Sequence, residues 1–324
     1  MKRNQPVKRR LLLSGLSALL LLGGGTTVSS QNNAQVGQAN RGYFAEQNRN
    51  AQWFLDQQRN VVKAVAALKP NRRGVVDAYV VVAAIDADPV FGREAAEAAK
   101  VLERRFSARG RTITLAAGTG AGKAAAAHGS PANLWAVIAG VAGKMDREED
   151  VLILYTTSHG GKKVGIVYND GQSGFGMISP SHMRGMLEGL GIKRKLVMIS
   201  ACYSGAFIPA LLDDDSVVIT AASSVRPSFG CNPGNDWTFF GDALINQSMR
   251  QGLSLTATKE IAFRKISEWE LGNGLTPSEP QYYAGANASK WLSALERKMP
   301  KARTKPVGTP AIAALKKPVP AKKP

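Results

Sequence analysis

Two side chains capable of nucleophilic chemistry, Cys202 and His159, each stand directly after a short apolar segment. These segments, Val151–Ser158 and Lys195–Ala201, are rich in residues that favour strands, and each ends in a turn of small residues. In an open parallel sheet, the loops at the carboxyl ends of the strands line the ligand crevice. We therefore expect the thiol and the imidazole to meet at one edge of a sheet.

The chemistry expected of this pair is acyl transfer. A thiol becomes a useful nucleophile near neutral pH once a base or a helix N-terminus lowers its pKa from about 8.5. His159 can accept the proton of Cys202 or protonate a leaving amine. The backbone N–H groups of Gly160 and Cys202 are predicted to form an oxyanion hole, whose donors typically contribute about 3 kcal/mol each. A lone cysteine in an apolar strand is usually a core residue, but its placement together with His159 favours a cysteine peptidase.

The remaining cysteine, Cys231, does not make a disulfide framework. We interpret it as a structural or regulatory thiol; a bond to Cys202 is the alternative, and it would block the nucleophile. The histidines and cysteines show no metal-ligand spacing, so no metal site is expected. The glycine-rich stretch 118–124 lacks the spacing and the hydroxyl residue of a nucleotide-binding loop, so we expect no nucleotide to bind there.

Strand patterns and helix patterns alternate along the chain and predict a three-layer α/β/α sandwich with a mostly parallel sheet. The β-branched run Asp77–Asp86 opens the sheet, and the segments 111–117, 151–158, 195–201 and 216–222 continue it. A helix over Ser130–Lys144 is indicated by Ser130 as N-cap and a proline in the first turn. The segment 162–176 is predicted to be a hairpin built on Asn169-Asp170-Gly171.

Changes in amino-acid composition divide the chain into four regions. Residues 1–30 have a basic start, an apolar run and a small-residue site, which predicts a signal peptide, with an uncleaved membrane anchor as the alternative. Residues 31–74 are a polar lead and an N-terminal helix, and residues 75–298 form the peptidase domain. Residues 299–324, dominated by Lys, Pro and Ala, are predicted to be a disordered tail. The protein is thus expected to be exported, to a periplasm or outside the cell.

The net charge of +18 is concentrated at the two ends of the chain. Five basic residues lie in residues 1–10, and nine basic residues against one acidic residue lie in residues 296–324, which leaves only +5 for the body. We therefore expect no nucleic-acid partner for the body. The basic tail is expected to contact anionic surfaces of the cell envelope.

The two reactive segments resemble a known family. The residues Thr157-Ser-His159-Gly160 and Ile199-Ser-Ala-Cys202-Tyr-Ser-Gly205 are similar to the His-Gly and Ala-Cys signatures of caspase-fold cysteine peptidases, and specifically of the legumain (asparaginyl endopeptidase) family. The stretches at 220–222, 228–231 and 240–242 support this resemblance in order and spacing.

The resemblance implies a caspase-like fold, a Cys202 nucleophile, a His159 acid or base and no cofactor. Asp88 is the nearest counterpart of the family's third catalytic residue, an Asn after the first strand. Ser200 replaces a Glu that commonly helps the family to read asparagine, so the implication does not extend to asparagine specificity. Candidate substrate-binding residues are Ser200, Asp242, Ser228 and Arg93; for Arg93 a surface helix charge is the alternative.

The function expected from these features is that of an exported cysteine endopeptidase acting on peptide or protein substrates through a thioester. Because family members can also transfer the acyl group to an amine, ligase or transpeptidase activity stays open. The alternative from another class is a catalytically silent caspase-fold scaffold or binding protein at the cell envelope.

Overall fold

The computed structural model describes residues 33–316. The α-helices of this part of the chain are α1 at 33–40, α2 (Ala51–Ala66), α3 (Pro89–Arg105), α4 (Pro131–Ala142), α5 (Pro180–Gly189), α6 (Ile208–Leu211), α7 (Leu255–Leu271) and α8 (Ala288–Lys298). The strands are β1 (Phe44–Glu46), β2 (Ala78–Ala84), β3 (Thr112–Ala116), β4 (Ala127–His128), β5 (Val151–Thr157), β6 (Gly160–Gly161), β7 (Gly165–Asn169), β8 (Gly174–Ile178), β9 (Lys195–Ser200), β10 (Ser216–Thr220) and β11 (Gln281–Ala284). A π-helical segment at Gly241–Ser248 precedes α7.

The main sheet has seven strands in the order β11-β10-β9-β5-β2-β3-β4. All neighbours are parallel except β11, which runs antiparallel to β10 at the edge. The residues of β2, β5 and β9 are fully buried, as expected for central strands with helices on both faces. The predicted α/β/α sandwich with a mostly parallel sheet is therefore confirmed.

Alternate residues of each central strand enter one of two cores, because side chains along a strand point to opposite faces. Val80 and Val82 pack in the core beneath α3, α7 and α8, whereas Tyr79 and Val81 pack in the core beneath α2, α4, α5 and α6. The capping residues predicted for α4 are present: Ser130 Oγ accepts a hydrogen bond from the Asn133 N–H at 3.2 Å. The helix start predicted at Ser130 and the burial of both faces of the central strands are thus both consistent with three layers.

A second, smaller antiparallel sheet has the order β1-β8-β7-β6. Strands β7 and β8 form a hairpin around Asp170, close to the predicted one, and Asp170 Oδ1 accepts N–H bonds from residues 172, 173 and 174 within the turn. Two local predictions differ from the structure. Helical spacing of apolar residues predicts one N-terminal helix over 43–68, but Phe44 lies in β1 and the helix α2 begins only at Ala51. Part of the polar lead, 33–40, is helical.

The C-terminal segment, residues 299–316, packs on the body, whereas the composition predicted a disordered tail. Met299 and Ala311 are buried, and Asn246 holds Val307 by two hydrogen bonds, from its Nδ2 to the carbonyl (3.1 Å) and from the Val307 N–H to its Oδ1 (2.9 Å). Backbone hydrogen bonds to buried side chains can order a segment that has few large apolar groups. The last eight residues, 317–324, lie outside the described part.

Residues 1–32 also lie outside the described part, so the predicted signal peptide at 1–30 has no structural counterpart here. Between residues 33 and 316, none of the helices combines the length and the apolarity that a membrane crossing requires.

Candidate active site

Cys202 lies two residues beyond the end of β9, in a tight turn that leads to a short 3-10 helix at Ser204–Phe207. The next residue, Tyr203, has a left-handed backbone (φ 58°), a conformation that non-glycine residues adopt at a cost of about 1–2 kcal/mol. The turn is held by N–H bonds from Tyr203 to the Arg226 carbonyl (2.9 Å) and from Gly205 to the Ala222 carbonyl (2.8 Å). The backbone at the sulfur is thus bent and pinned on its C-terminal side.

The thiol faces a loop that follows β10. Cys202 Sγ accepts a hydrogen bond from the Ser228 N–H at 3.2 Å and lies 3.7 Å from Ser228 Oγ. The backbone N–H of Cys202 itself donates to no acceptor within residues 33–316. This N–H is therefore free to donate to a substrate oxygen, and the oxyanion hole of Gly160 and Cys202 stays a prediction.

His159 occupies the matching position two residues beyond β5. Its backbone carbonyl accepts a hydrogen bond from the Val167 N–H (3.0 Å), and its ring stands edge-on to Phe91 with centroids 5.0 Å apart. Nε2 is bonded to Asp88 Oδ2 at 2.9 Å. The His159 side chain is 42% exposed, so substrate can reach the free edge of its ring.

Register brings the two reactive segments together. In the parallel pairing of β5 with β9, Thr157 is opposite Ser200, and both functional residues follow two positions later. The backbones touch at Gly160: an added Cβ there would lie 2.0 Å from the Cys202 carbonyl oxygen and 2.9 Å from its nitrogen. Among the described residues no hydrogen bond joins the imidazole to the sulfur, and in unliganded sites such bonds are often long.

Asp88, the candidate third catalytic residue, thus contacts His159. It lies at the N-cap of α3, and its backbone N–H donates to Asp86 Oδ1 at 2.9 Å. Asp86 is almost fully buried, and burial raises its pKa above the ordinary value, an effect opposed by the Asp88 N–H and by the charge of His159. Asp88 therefore holds the imidazole directly, and Asp86 supports the backbone of Asp88.

The same three groups have a geometry that a metal ion could use, since ligand atoms of Asp86, Asp88 and His159 lie within 4.8 Å of one another. The absence of a metal site therefore stays a prediction. A polar cavity of about 600 Å³ opens beside this cluster, at the carboxyl ends of β2, β3 and β4, and includes Ala87 and His128 in its walls. Burial lowers the pKa of His128 to about 4.

The four predicted substrate-binding residues lie in different environments. Ser228 is beside the sulfur, as described above. Ser200 is buried, with Oγ 3.1 Å from Thr238 Oγ1. Arg93 is not a free surface charge: its Nε donates to the Asn235 carbonyl (3.0 Å) and pairs with Asp236 (3.3 Å). The two paired side chains line a cavity of about 270 Å³.

Asp242 is fully buried in the π-helical segment, so the structure does not present it to a substrate. One of its carboxylate oxygens accepts from Asn246 Nδ2 (2.9 Å), and the other accepts from the N–H of Ala311 (2.8 Å). The prediction did not foresee this role because it assigned Ala311 to a disordered tail. In the structure Asp242 anchors that segment.

One buried carboxylate near the site was missed. Glu94 of α3 is fully buried, accepts from the Tyr155 hydroxyl (2.6 Å) and from the Thr238 N–H (2.8 Å), and lies against Gly241. By accepting from its N–H, Glu94 holds Thr238 in place beside Ser200. Helical periodicity could have found it, because Glu94 shares the inward face of α3 with Phe91, Ala95 and Ala98.

The model of the Peptidase C13 family matches residues 125–290, just over half of the chain. The matched range contains His159, Gly160, Cys202, Ser228 and Asp242, whereas Asp88 and Arg93 precede it. No curated protein matches the sequence.

Proposed function

The chain belongs to the Peptidase C13 family, the legumain family of cysteine peptidases, and from this membership we propose that Cys202 and His159 are the catalytic pair of an exported endopeptidase. The observation that carries the assignment is the equal register of β5 and β9, after which each strand presents one of the two side chains at the same sheet edge. Peptides or proteins are the substrates that follow from the family.

In the proposed reaction the sulfur of Cys202 attacks the carbonyl carbon of the scissile bond. His159 takes the thiol proton and passes it to the leaving amine, while the hydrogen bond to Asp88 keeps the ring oriented. The oxygen that becomes negative accepts from the N–H groups of Cys202 and Gly160. Water then hydrolyses the thioester and regenerates the thiol.

A second outcome of the same intermediate is transfer to an amine, which would join two peptides instead of releasing an acid. The choice depends on whether an amine or water reaches the thioester first, and both would be deprotonated by His159. Adding a peptide with a free N-terminal amine during turnover distinguishes the two, because ligation yields a product that contains both sequences.

The test of the catalytic assignment is hydrolysis of a peptide library by the full chain and by Cys202→Ala. We expect cleavage by the parent protein and none by the variant. Equal cleavage would remove Cys202 as the nucleophile, and no cleavage by either protein would leave the silent scaffold as the better hypothesis. Alkylation by iodoacetamide gives an independent measure. Cys202 should react much faster than Cys231, because burial raises the pKa of the Cys231 thiol, and His159→Ala should slow the reaction of Cys202.

Export and envelope contact are further parts of the proposal, supported by the composition of the two ends. Secreted or periplasmic protein is expected to begin near residue 31, which N-terminal sequencing of cell fractions measures; an intact N-terminus in the membrane fraction indicates the anchor instead. Binding to phosphatidylglycerol vesicles is expected to fall with salt and on truncation after Lys316, which leaves the packed segment in place.

A further inference from the structure

A small cavity of about 140 Å³ lies between the C-terminal end of α3, the turn at 249–252 and the C-terminal segment at 299–304. Its walls include the aliphatic side chains of Val101, Met249 and Met299. Four cationic side chains also line it: Lys100, Arg104, Arg105 and Arg250. The cavity is far from Cys202 in the fold, since it adjoins the C-terminal end of α3, whereas Asp88 precedes the N-terminal end.

Arg105 is the unusual member of this set because it is buried without an anionic partner. The residue is only 3% exposed, and its Nη1 and Nη2 donate to the carbonyls of Met249 (3.4 Å) and Leu253 (2.9 Å). Its Nε has no hydrogen-bond acceptor, and no carboxylate within residues 33–316 forms an ion pair with it. Burial lowers the pKa of Arg105 to about 10. A guanidinium taken out of water without a counter-charge is strongly unfavourable.

The surrounding charges leave a cationic excess. Glu97 pairs with Arg250 at 2.7 Å and with Lys100 at 2.8 Å, and Glu296 acts on Arg105 only from a distance. Four cations therefore face two carboxylates, and the Nε of Arg250 also lacks an acceptor in the described chain. The anion that would balance this excess carries two negative charges.

We propose that the cavity binds a free divalent tetrahedral oxyanion, phosphate or sulfate, held by the guanidinium groups of Arg105 and Arg250. Tetrahedral oxyanions offer acceptors in several directions, which suits guanidinium groups supplied by two elements, the C-terminal end of α3 and the turn at 249–252. The volume accommodates one such ion. This site is separate from the proposed peptidase chemistry.

The ion would also fasten the C-terminal segment to α3. Arg104 Nη2 already donates to the Ala302 carbonyl (3.1 Å), and Thr304 is joined to Arg250 through its N–H (3.2 Å) and its Oγ1 (3.4 Å). Neutralising the cations between these contacts removes the repulsion that opposes them. Occupancy should therefore protect the segment from proteases.

The test uses the full chain with Cys202→Ala, which prevents self-cleavage. Inorganic phosphate is titrated against sodium chloride of equal ionic strength, by calorimetry and by thermal unfolding. We expect saturable binding and a rise of about 5 °C in Tm when phosphate exceeds its Kd about 100-fold. Phosphate should also slow tryptic cleavage after Lys301 and Arg303.

Three variants decide the interpretation. Arg105→Met removes the buried charge, so it should keep or raise the Tm without phosphate and lose the response to phosphate. Arg264→Met, a matched change at a side chain 67% exposed on α7, should respond like the parent protein. If Arg105→Met does not fold, the exposed Arg104→Met should still raise the Kd about threefold or more.

A rise in Tm that grows linearly with phosphate and is equal in Arg105→Met and Arg264→Met would be a general salt effect and would overturn the proposal. Absence of calorimetric binding by the parent protein would overturn it as well, leaving water as the occupant.

Discussion

The contact between Gly160 and Cys202 makes a sharp prediction about the substitution Gly160→Ala. The new Cβ would lie 2.0 Å from the Cys202 carbonyl oxygen, whereas real Cβ contacts below 3.0 Å essentially never occur. One of the two backbones must therefore move by about 1 Å or more. No flexible side chain can absorb the movement, because the obstructing atoms belong to the backbone of the nucleophile.

A displacement of this size should reduce kcat/KM about 100-fold, since misplacing reacting groups by about 1 Å typically has that effect. The reduction corresponds to about 2.7 kcal/mol of lost transition-state stabilisation. The measurement is the hydrolysis rate of a fluorogenic peptide chosen from the library, together with the Tm of the same preparation. Alkylation of Cys202 should change less than turnover, because it does not use the oxyanion hole.

Gly185→Ala is the matched control. Gly185 lies in α5, and an added Cβ there meets no atom within 4 Å, so the substitution should leave activity unchanged and stabilise the helix by up to about 1 kcal/mol. The reasoning fails if Gly160→Ala retains activity within about threefold of the parent protein at the same Tm. In that case the backbone N–H groups of residues 160 and 202 could not form a rigid pair of donors.

Four further predictions follow from polar contacts and from one buried histidine. Asp88→Ala should lower kcat/KM about 10- to 100-fold because it frees the His159 ring. Asp88→Asn should keep most activity, since its amide oxygen can still accept the hydrogen bond. An equal loss of activity in both variants would contradict a purely orienting role for Asp88. Tyr155→Phe removes one of the two donors to buried Glu94 and should lower the free energy of unfolding by about 1–3 kcal/mol in urea titrations, with unchanged stability as the contrary result. The pKa of His128 is about 4 in the folded chain and about 6.5 in the unfolded chain. Its contribution to the free energy of unfolding is therefore complete above pH 6.5 and is lost as the pH falls towards 4, about 3 kcal/mol in all. His128→Gln should flatten this part of the pH-stability curve, and parallel curves for variant and parent would refute the assignment. Asn246→Ala should release residue 307 and speed tryptic cleavage at residues 301–305, and an unchanged digestion rate would show that other contacts hold the segment.

The arrangement of the reactive pair was accessible from sequence because it depends on short-range patterns. A run such as Val151–Thr157 is long enough for one strand and too uniformly apolar for a surface helix, so its end point could be located to within a residue. Parallel pairing then brings the ends of such strands to one edge whatever loops connect them. Cys202 and His159 follow from these two facts alone.

Contacts between polar groups that lie far apart in the chain could not be predicted from such short-range patterns. The bond between Asn246 and Val307 spans 61 residues and needs only one amide side chain, so it leaves no periodicity in the sequence. For this reason composition predicted disorder where the structure has a packed segment. Glu94 is an intermediate case: its helical position indicates burial, but its partner Tyr155 lies on a strand 61 residues away.

The strand order also explains why a carboxylate, an imidazole and a thiol lie at the same edge of the sheet. From β2 the chain proceeds outwards through β3 to β4, and then returns to the other side of β2 with β5, from which it continues through β9 to β10. The order therefore reverses between β2 and β5, where the connections leave in opposite directions and a crevice must open above the sheet. Asp88 follows β2 and His159 follows β5, so their bond lies at the reversal, and Cys202 follows the next strand outward. Asp88 is thus fixed on one wall of the crevice and Cys202 on the other, with the half-exposed imidazole of His159 between them, which is the placement that the proposed reaction requires.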